Sequence, residues 1–152
     1  MSHVRMTAHF DAPIEQVFAL AIDRARLPEW NVNYDEAPEM SGPADQVGTR
    51  IHGAIKLLGR KMEGTAEVVE VDVPRLYRTE SAEADRKLSV TYRFTPASAG
   101  TDAELISDYE VPAGVFGKVV DRLFIERSVE RDLRHSIENF KALVEAKVPA
   151  PA

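Results

Sequence analysis

Near its C-terminus the chain reads Asp132-Leu133-Arg134-His135-Ser136-Ile137-Glu138-Asn139-Phe140-Lys141-Ala142-Leu143. Apolar side chains recur here every three or four residues, which is the spacing of one helix face. The same spacing extends back toward Val115, so an amphipathic helix of about thirty residues is predicted. Most of the preceding sequence alternates between apolar and polar residues, as strands do. One long helix packed on one curved sheet encloses a space that suits an apolar small molecule.

The N-terminal part predicts one strand followed by two short helices. Residues 3–10 alternate with a period of two, which is typical of a half-buried strand. Asp11 or Ala12 is expected to cap the first helix. Asp23 is expected to begin the second helix, which should end around Pro28.

The middle of the chain predicts further strands. Alternation indicates strands over residues 47–57, 61–72, 74–81, 88–94 and 103–111. The turn Leu58-Gly59-Arg60 predicts a hairpin between the first two of them. Near Val68-Val69 the alternation changes phase, which predicts a β-bulge.

Composition limits the classes of partner. The chain has 152 residues, 44% of them hydrophobic, and a formal net charge of −6. An acidic surface repels phosphate backbones, so no nucleic-acid partner is expected. Cysteine is absent and no apolar run resembles a signal peptide or membrane span, so we expect a cytoplasmic protein without stable membrane insertion. We assign residues 1–147 to one domain and residues 148–152 to a flexible C-terminal tail.

Taken together, the order strand, two short helices, strands and long helix resembles the START-like superfamily, also called the SRPBCC or helix-grip fold. The similarity is greatest to its polyketide cyclase/dehydrase and lipid-transport branch. The residues that carry the resemblance are Ala12-Pro13-Ile14-Glu15-Gln16-Val17-Phe18, Asp23, Leu27-Pro28-Glu29-Trp30, Val47-Gly48-Thr49, Tyr92-Arg93-Phe94-Thr95-Pro96, Gly100-Thr101, Leu133, Ile137, Phe140, Lys141 and Glu145.

The resemblance implies an α+β helix-grip fold. In this fold a seven-stranded antiparallel sheet wraps around the long C-terminal helix, with two short helices after the first strand and a cavity between sheet and helix. Members bind lipids, sterols, polyketides, hormones or quinones, and a minority catalyse cyclisation or dehydration. Fold alone does not select among these functions.

No motif for metal or nucleotide chemistry is present. His3, His9 and His52 fall on polar strand faces and His135 lies off the apolar helix stripe, so no metal site is expected. Gly-x-Ser-x-Gly, Gly-x-Gly-x-x-Gly and P-loop patterns are absent. We therefore expect no cofactor.

Candidate ligand-binding residues lie on the predicted inner faces of the strands and on the N-terminal half of the long helix, with Tyr34 added from the segment after the second short helix. They are Tyr34, Ile51, Met62, Tyr92, Ser107, Tyr109, Phe116, Val120, Leu123 and Arg127. Small inward residues at Gly53, Gly64 and Ala66 favour a cavity over a filled core. The helix stripe passes over Glu126 and Arg127, which either reach solvent or meet a polar group of the ligand.

Three functions remain open on this basis. The first is binding or transport of a hydrophobic or amphipathic small molecule, such as a lipid or polyketide, by a monomer or homodimer. The second is a cofactor-independent cyclase or aromatase of polyketides, in which Tyr92, Tyr109 or Arg127 donates a proton or stabilises an oxyanion. The third is a non-catalytic interaction or stress-response subunit.

Overall fold

The computed structural model describes residues 2–83, 87–110 and 122–146. The elements in chain order are β1 (Ser2–Phe10), α1 (Ile14–Ile22), a 3-10 turn (Arg24–Arg26), α2 (Leu27–Trp30), β2 (Glu39–Met40), β3 (Arg50–Leu57), β4 (Arg60–Asp72), β5 (Leu76–Ser81), β6 (Lys87–Ala97), β7 (Gly100–Glu110) and α3 (Arg122–Val144). The strands form one seven-stranded sheet in the order β1-β7-β6-β5-β4-β3-β2, and every pair is antiparallel. The predicted α+β helix-grip architecture is therefore confirmed.

Several predicted details of the sheet are confirmed. Leu58 and Gly59 both have positive φ, at 52° and 76°, and form the tight turn between β3 and β4. The register of β4 against β5 shifts between Val68 and Glu70, where the bulge was predicted. Strand β2 was not predicted individually, because two residues are too few to show a period.

The short helices differ from the expectation at their ends. Pro13 occupies the N-cap of α1 and no side chain caps it, so neither Asp11 nor Ala12 has that role. The segment after Asp23 is a 3-10 turn, and α2 continues through Pro28 to Trp30. Proline is tolerated there because the first helical turn leaves its N–H positions unbonded in any case.

Helix α3 has 23 described residues and packs on the sheet through its predicted C-terminal stripe. Phe140 is buried, and Leu133 and Ile137 pack partly buried against the same core. His135 is exposed, as expected. The expected start of the helix, between Gly114 and Gly117, lies outside the described residues.

The segment after α2 is fastened to both α3 and the sheet edge. Val32 donates its backbone N–H to the Ser136 hydroxyl at 3.0 Å. The Asn33 side-chain amide donates to the Lys56 carbonyl at 2.8 Å and to an Asp132 carboxylate oxygen at 3.0 Å. In return the Lys56 N–H donates to the Asn33 carbonyl at 2.7 Å. We call this set of contacts the Asn33 clasp, and it joins the free edge of β3 to the helix.

Candidate ligand-binding site

The pairing register of the strands shows which side chains lie on the inner face of the sheet. Tyr92 on β6 lies opposite Tyr77 on β5 and Leu105 on β7, and all three are buried. Side chains two residues apart on a strand share a face, so Val90 and Ser107 point the same way one step along. Ile51 and Met62 share this inner face on β3 and β4.

One end of the interior is filled. Phe140 of α3 lies 5.0 Å, between ring centres, from both Phe10 and Trp30. A void of only 20 Å³ remains there, bordered by Tyr92 and Leu105 among others. A space of that size holds about one water molecule, so no ligand fits beside the Phe140 ring.

The other end of the inner face is less covered. The inward side chains there are apolar and only partly buried, and they come from β3, β4 and β6. They are Ile55, Leu57, Met62, Ala66, Leu88 and Val90. Ser107 is the partly buried polar neighbour of Val90 on β7. Burial therefore falls along the sheet from the Phe140 end toward the β3–β4 hairpin.

Tyrosine side chains lie next to the packed Phe140 end of the inner face and next to its less covered end. Tyr77 and Tyr92 stack with ring centres 6.3 Å apart, and Tyr34 packs against the same core. Burial raises the pKa of Tyr34, with Arg24 acting in the opposite direction. Burial likewise raises the pKa of Tyr77, whose hydroxyl donates to the Ala44 carbonyl at 2.8 Å. These phenols stay protonated at neutral pH and are hydrogen-bond donors.

Tyr109 belongs to a second, smaller cluster with Val4 and Ile125. Burial raises the pKa of Tyr109, and the nearby Ser2 hydroxyl opposes that shift. The Ser2 hydroxyl nevertheless donates its hydrogen bond to a Glu126 carboxylate oxygen at 2.8 Å, and the buried Tyr109 hydroxyl has no hydrogen bond of normal geometry to the described residues. A buried phenol that the described residues leave unbonded is a candidate contact for a bound molecule, because an unpaired buried donor is costly.

The helix contributions differ from the prediction. Leu123 is 51% exposed and Arg127 is exposed, so the structure does not bring either side chain to the inner face. The inward residues of this part of α3 are Ile125, Ser128 and Val129, which follow one another at helical spacing. Arg127 is two residues from Ile125 and points to the opposite side for that reason. Phe116 and Val120 lie outside the described residues.

One buried residue was not anticipated from the sequence. Arg24 is only 7% exposed, and its guanidinium carbon lies 5.5 Å from the centre of the Tyr77 ring. Its neighbour Arg26 is exposed and pairs with Glu29. The sequence Arg24-Ala25-Arg26 does not indicate which arginine is buried. Which of them points inward depends on the direction in which the three-residue turn leaves α1.

A larger concavity lies outside the interior. A cleft of about 190 Å³ between residues 35–39 and the β3–β4 hairpin is lined by charged side chains such as Asp35, Lys61 and Glu63. Asp35 lies 3.6 Å from Lys61, so part of the charge in this cleft is internally compensated. Its charged lining makes it a poor site for an apolar molecule.

The sequence matches one family model across nearly its whole length. The model for polyketide cyclase / dehydrase and lipid transport covers residues 1–145. The chain belongs to this family. No curated protein matches the sequence.

Solved structures with the family's fold are similar throughout the chain. Protein TTHA0849 from Thermus thermophilus is 24% identical, with a TM-score of 0.78 over 94% of this chain and 97% of that one. The aromatase/cyclase Zhui from a Streptomyces species is 20% identical, with a TM-score of 0.79 over 95% and 93%. A START superfamily protein from Mycobacterium smegmatis is 15% identical, with a TM-score of 0.76 over 94% and 97%. At these identities the similarity establishes the fold.

Two further observations concern the described part of the chain. None of its helices combines the length and apolar character needed to cross a membrane. None of its His, Asp and Glu side chains converge in groups of three or more that could hold a metal ion.

Proposed function

We propose that this protein binds an apolar or amphipathic small molecule between the inner face of the sheet and α3. The observation that carries the proposal is the uneven burial of that face. The Phe140 end is packed, whereas the inward side chains toward the β3–β4 hairpin, such as Met62 and Val90, are apolar and only partly buried. Apolar surface of this kind gains free energy when a ligand covers it, about 25 cal/mol for each Å².

The polar groups on this surface fit an amphipathic ligand. Ser107 and Tyr109 are inward neighbours on β7, and Tyr92 lies across from Leu105 on the same face. Ligand sites are mostly apolar with a few polar groups that fix orientation. Ile51 and Tyr34 complete the expected lining from the edge of the packed core.

A cyclase activity is the second candidate. It is supported by Tyr109, whose buried hydroxyl makes no hydrogen bond of normal geometry to the described residues and can donate one to a carbonyl or enolate oxygen. Arg127 is not suited to that role in this geometry because it is exposed. The similarity to an aromatase/cyclase adds a family precedent.

Binding of a neutral apolar fluorophore, 1-aminoanthracene, tests the proposal. We expect micromolar affinity for the wild-type protein. Val90→Trp should weaken it at least about tenfold by filling the space, with little loss of thermal stability. Thr95→Trp is the matched control, because Thr95 is on the exposed outer face of the same strand and should leave binding unchanged.

Other results would favour the remaining functions. If Val90→Trp lowers the stability by about 1–3 kcal/mol or more and the wild-type protein does not bind the fluorophore, the interior is packed and the role of a non-catalytic subunit gains support. If Tyr109→Phe preserves fluorophore binding but abolishes turnover of a poly-carbonyl substrate, the cyclase function replaces simple binding.

A further inference from the structure

We propose that Arg24 forms a binding site for an acidic head group of the ligand, a carboxylate or a group of the same two-oxygen geometry. This inference deepens the proposed function and depends on it, since a head group is recognised only if an amphipathic molecule enters the interior. It narrows the ligand from any apolar molecule to an amphipathic acid.

The position of Arg24 is the first observation. It follows α1 directly, and its Nε donates to the Ile22 carbonyl at 3.4 Å while Nη2 donates to the Ala21 carbonyl. These carbonyls form the C-terminal end of α1, where the helix dipole is negative. The two bonds hold the guanidinium in place and use only part of its donor set.

The second observation is the missing counter-charge. Within the described residues, no carboxylate lies at ion-pair distance from Arg24. Arg26, two residues on, shows the ordinary arrangement, with its Nε 2.8 Å from a Glu29 oxygen and its side chain 47% exposed. A buried cation is costly unless an anion compensates it, and helix carbonyls supply only partial charges. The described residues thus leave the buried Arg24 charge without a full counter-charge, which an anionic group of a ligand would supply.

The third observation is the set of hydrogen-bond donors near the Arg24 guanidinium. Arg24 lies over Tyr77 and is close enough to Tyr34 to oppose the effect of burial on both phenols. Of Tyr34, Tyr77 and Tyr92, only Tyr77 has a hydroxyl bonded to another described residue, the Ala44 carbonyl. A guanidinium with the Tyr34 phenol in its neighbourhood matches a carboxylate, which accepts hydrogen bonds on both oxygens.

The proposed apolar surface leads to this group. Val90 and Tyr92 are consecutive inward residues of β6, and Tyr92 stacks on Tyr77. A ligand whose hydrocarbon part covers Val90 therefore directs one end toward the stacked tyrosines and Arg24.

Displacement of 1-aminoanthracene by two amphiphiles of equal chain length, dodecanoate and dodecan-1-ol, tests the site. At about pH 7.5 the carboxylate is ionised. We expect the wild-type protein to bind dodecanoate at least about tenfold more tightly than the alcohol. Arg24→Met should bring the ratio of the two affinities close to one. Arg24→Lys should give an intermediate ratio, because lysine keeps the positive charge but lacks the planar guanidinium that donates two parallel hydrogen bonds to a carboxylate.

Arg26→Met is the matched control and should keep the wild-type ratio. Circular dichroism checks the fold of each variant, and Arg24→Gln replaces Arg24→Met if the latter does not fold. A wild-type protein that binds the fluorophore but shows no preference for dodecanoate overturns the Arg24 site alone. The same holds if the preference persists in the folded Arg24→Met or Arg24→Gln variant. Failure of the wild-type protein to bind the fluorophore overturns the proposed function and this inference with it.

Discussion

Phe140 packs helix α3 against Phe10 at the end of β1 and against Trp30 at the end of α2. Its ring is tilted by 52° against Phe10 and by 83° against Trp30, at 5.0 Å from each. Aromatic contacts of this kind add to the free energy of burial because ring edges and faces carry opposite partial charge. The interior around Phe140 has almost no spare volume, so truncation leaves a cavity.

We predict that Phe140→Ala lowers the free energy of unfolding by about 3–5 kcal/mol. Phe124→Ala on the same helix is the control, because Phe124 is 57% exposed and its loss should cost less than about 0.5 kcal/mol. Chemical denaturation measures both. Equal losses in the two variants would contradict the packing described for α3.

His9 is tied to acidic groups on the outer face of the sheet. Its Nδ1 lies 2.8 Å from Asp102, and its Nε2 lies 3.1 Å from Asp11 and 3.0 Å from the Ala99 carbonyl. The hydrogen bond to Asp102 is the main reason that the pKa of His9 is raised. These contacts favour the imidazolium form in the folded protein.

The raised pKa predicts a small pH dependence of stability. A pKa that is higher in the folded than in the unfolded chain gives a contribution that is complete below the unfolded value and is lost as pH rises through the folded value. NMR titration should find the His9 pKa above the ordinary histidine value, and Asp102→Asn should lower it. A His9 pKa unaffected by Asp102→Asn would refute this assignment.

At the scale of elements, Gly100 fixes how β7 meets the end of β1. Its φ is 128°, and a Cβ at this position would lie 2.1 Å from the Phe10 carbonyl oxygen. Both the conformation and the close approach of the two backbones require glycine. The next residue, Thr101, is fully buried and donates its hydroxyl to the Ala12 carbonyl at 2.8 Å.

We predict that Gly100→Ala lowers the free energy of unfolding by more than about 3 kcal/mol, because strain and a backbone clash add together. Gly48→Ala is the control, since Gly48 also has a positive φ, at 96°, but has open space where a Cβ would be. It should cost about 1–2 kcal/mol. Thermal unfolding of both variants checks the difference, and similar losses would show that the clash is relieved locally.

Elements with a clear period were predictable from the sequence, whereas short or exposed segments were not. Strands β3 to β7 alternate over six or more residues, which reveals the inner face containing Tyr92 and Ser107. The alternation predicts that Val47 lies in a strand, but β3 begins at Arg50 and Val47 is 57% exposed. The inward position of Arg24 depends on tertiary packing that no local pattern encodes.

The candidate site on the helix was also only partly predictable. A stripe through Leu123 and one through Ile125 differ by about 200° around the helix axis, and both contain apolar residues. The structure buries Ile125 and leaves Leu123 half exposed. The choice depends on how the helix is rotated against Val4 and Tyr109, which a single sequence does not specify.

At the scale of the whole molecule, the Asn33 clasp closes the sheet onto the helix. Without it, the β3 edge at Lys56 would present unpaired backbone groups to solvent. The same contacts link this edge to Asp132 and Ser136 on α3. Motion of the helix away from the hairpin must therefore break these bonds together.

We predict that Asn33→Ala accelerates hydrogen exchange of the Lys56 amide at least about tenfold, because the segment that covers it is released. The Val68 amide, which donates to the Thr49 carbonyl at 2.9 Å, should be unaffected and is the internal reference. Native-state exchange followed by NMR measures both rates. Equal acceleration at the two amides would indicate global destabilisation.

The strand order has a consequence for synthesis of the chain. Among the described strands, each neighbouring pair from β2 to β7 is consecutive in sequence, whereas β1 pairs with β7, with Phe10 opposite Thr101. At about 5–20 residues per second, a ribosome needs on the order of ten seconds to reach that partner. During this time the apolar side chains of Val4 and Phe10 are exposed to solvent, while Arg5 and His9 between them keep the nascent segment hydrated. When translation is slow or chaperones are scarce, misfolding of this protein should therefore begin at strand β1.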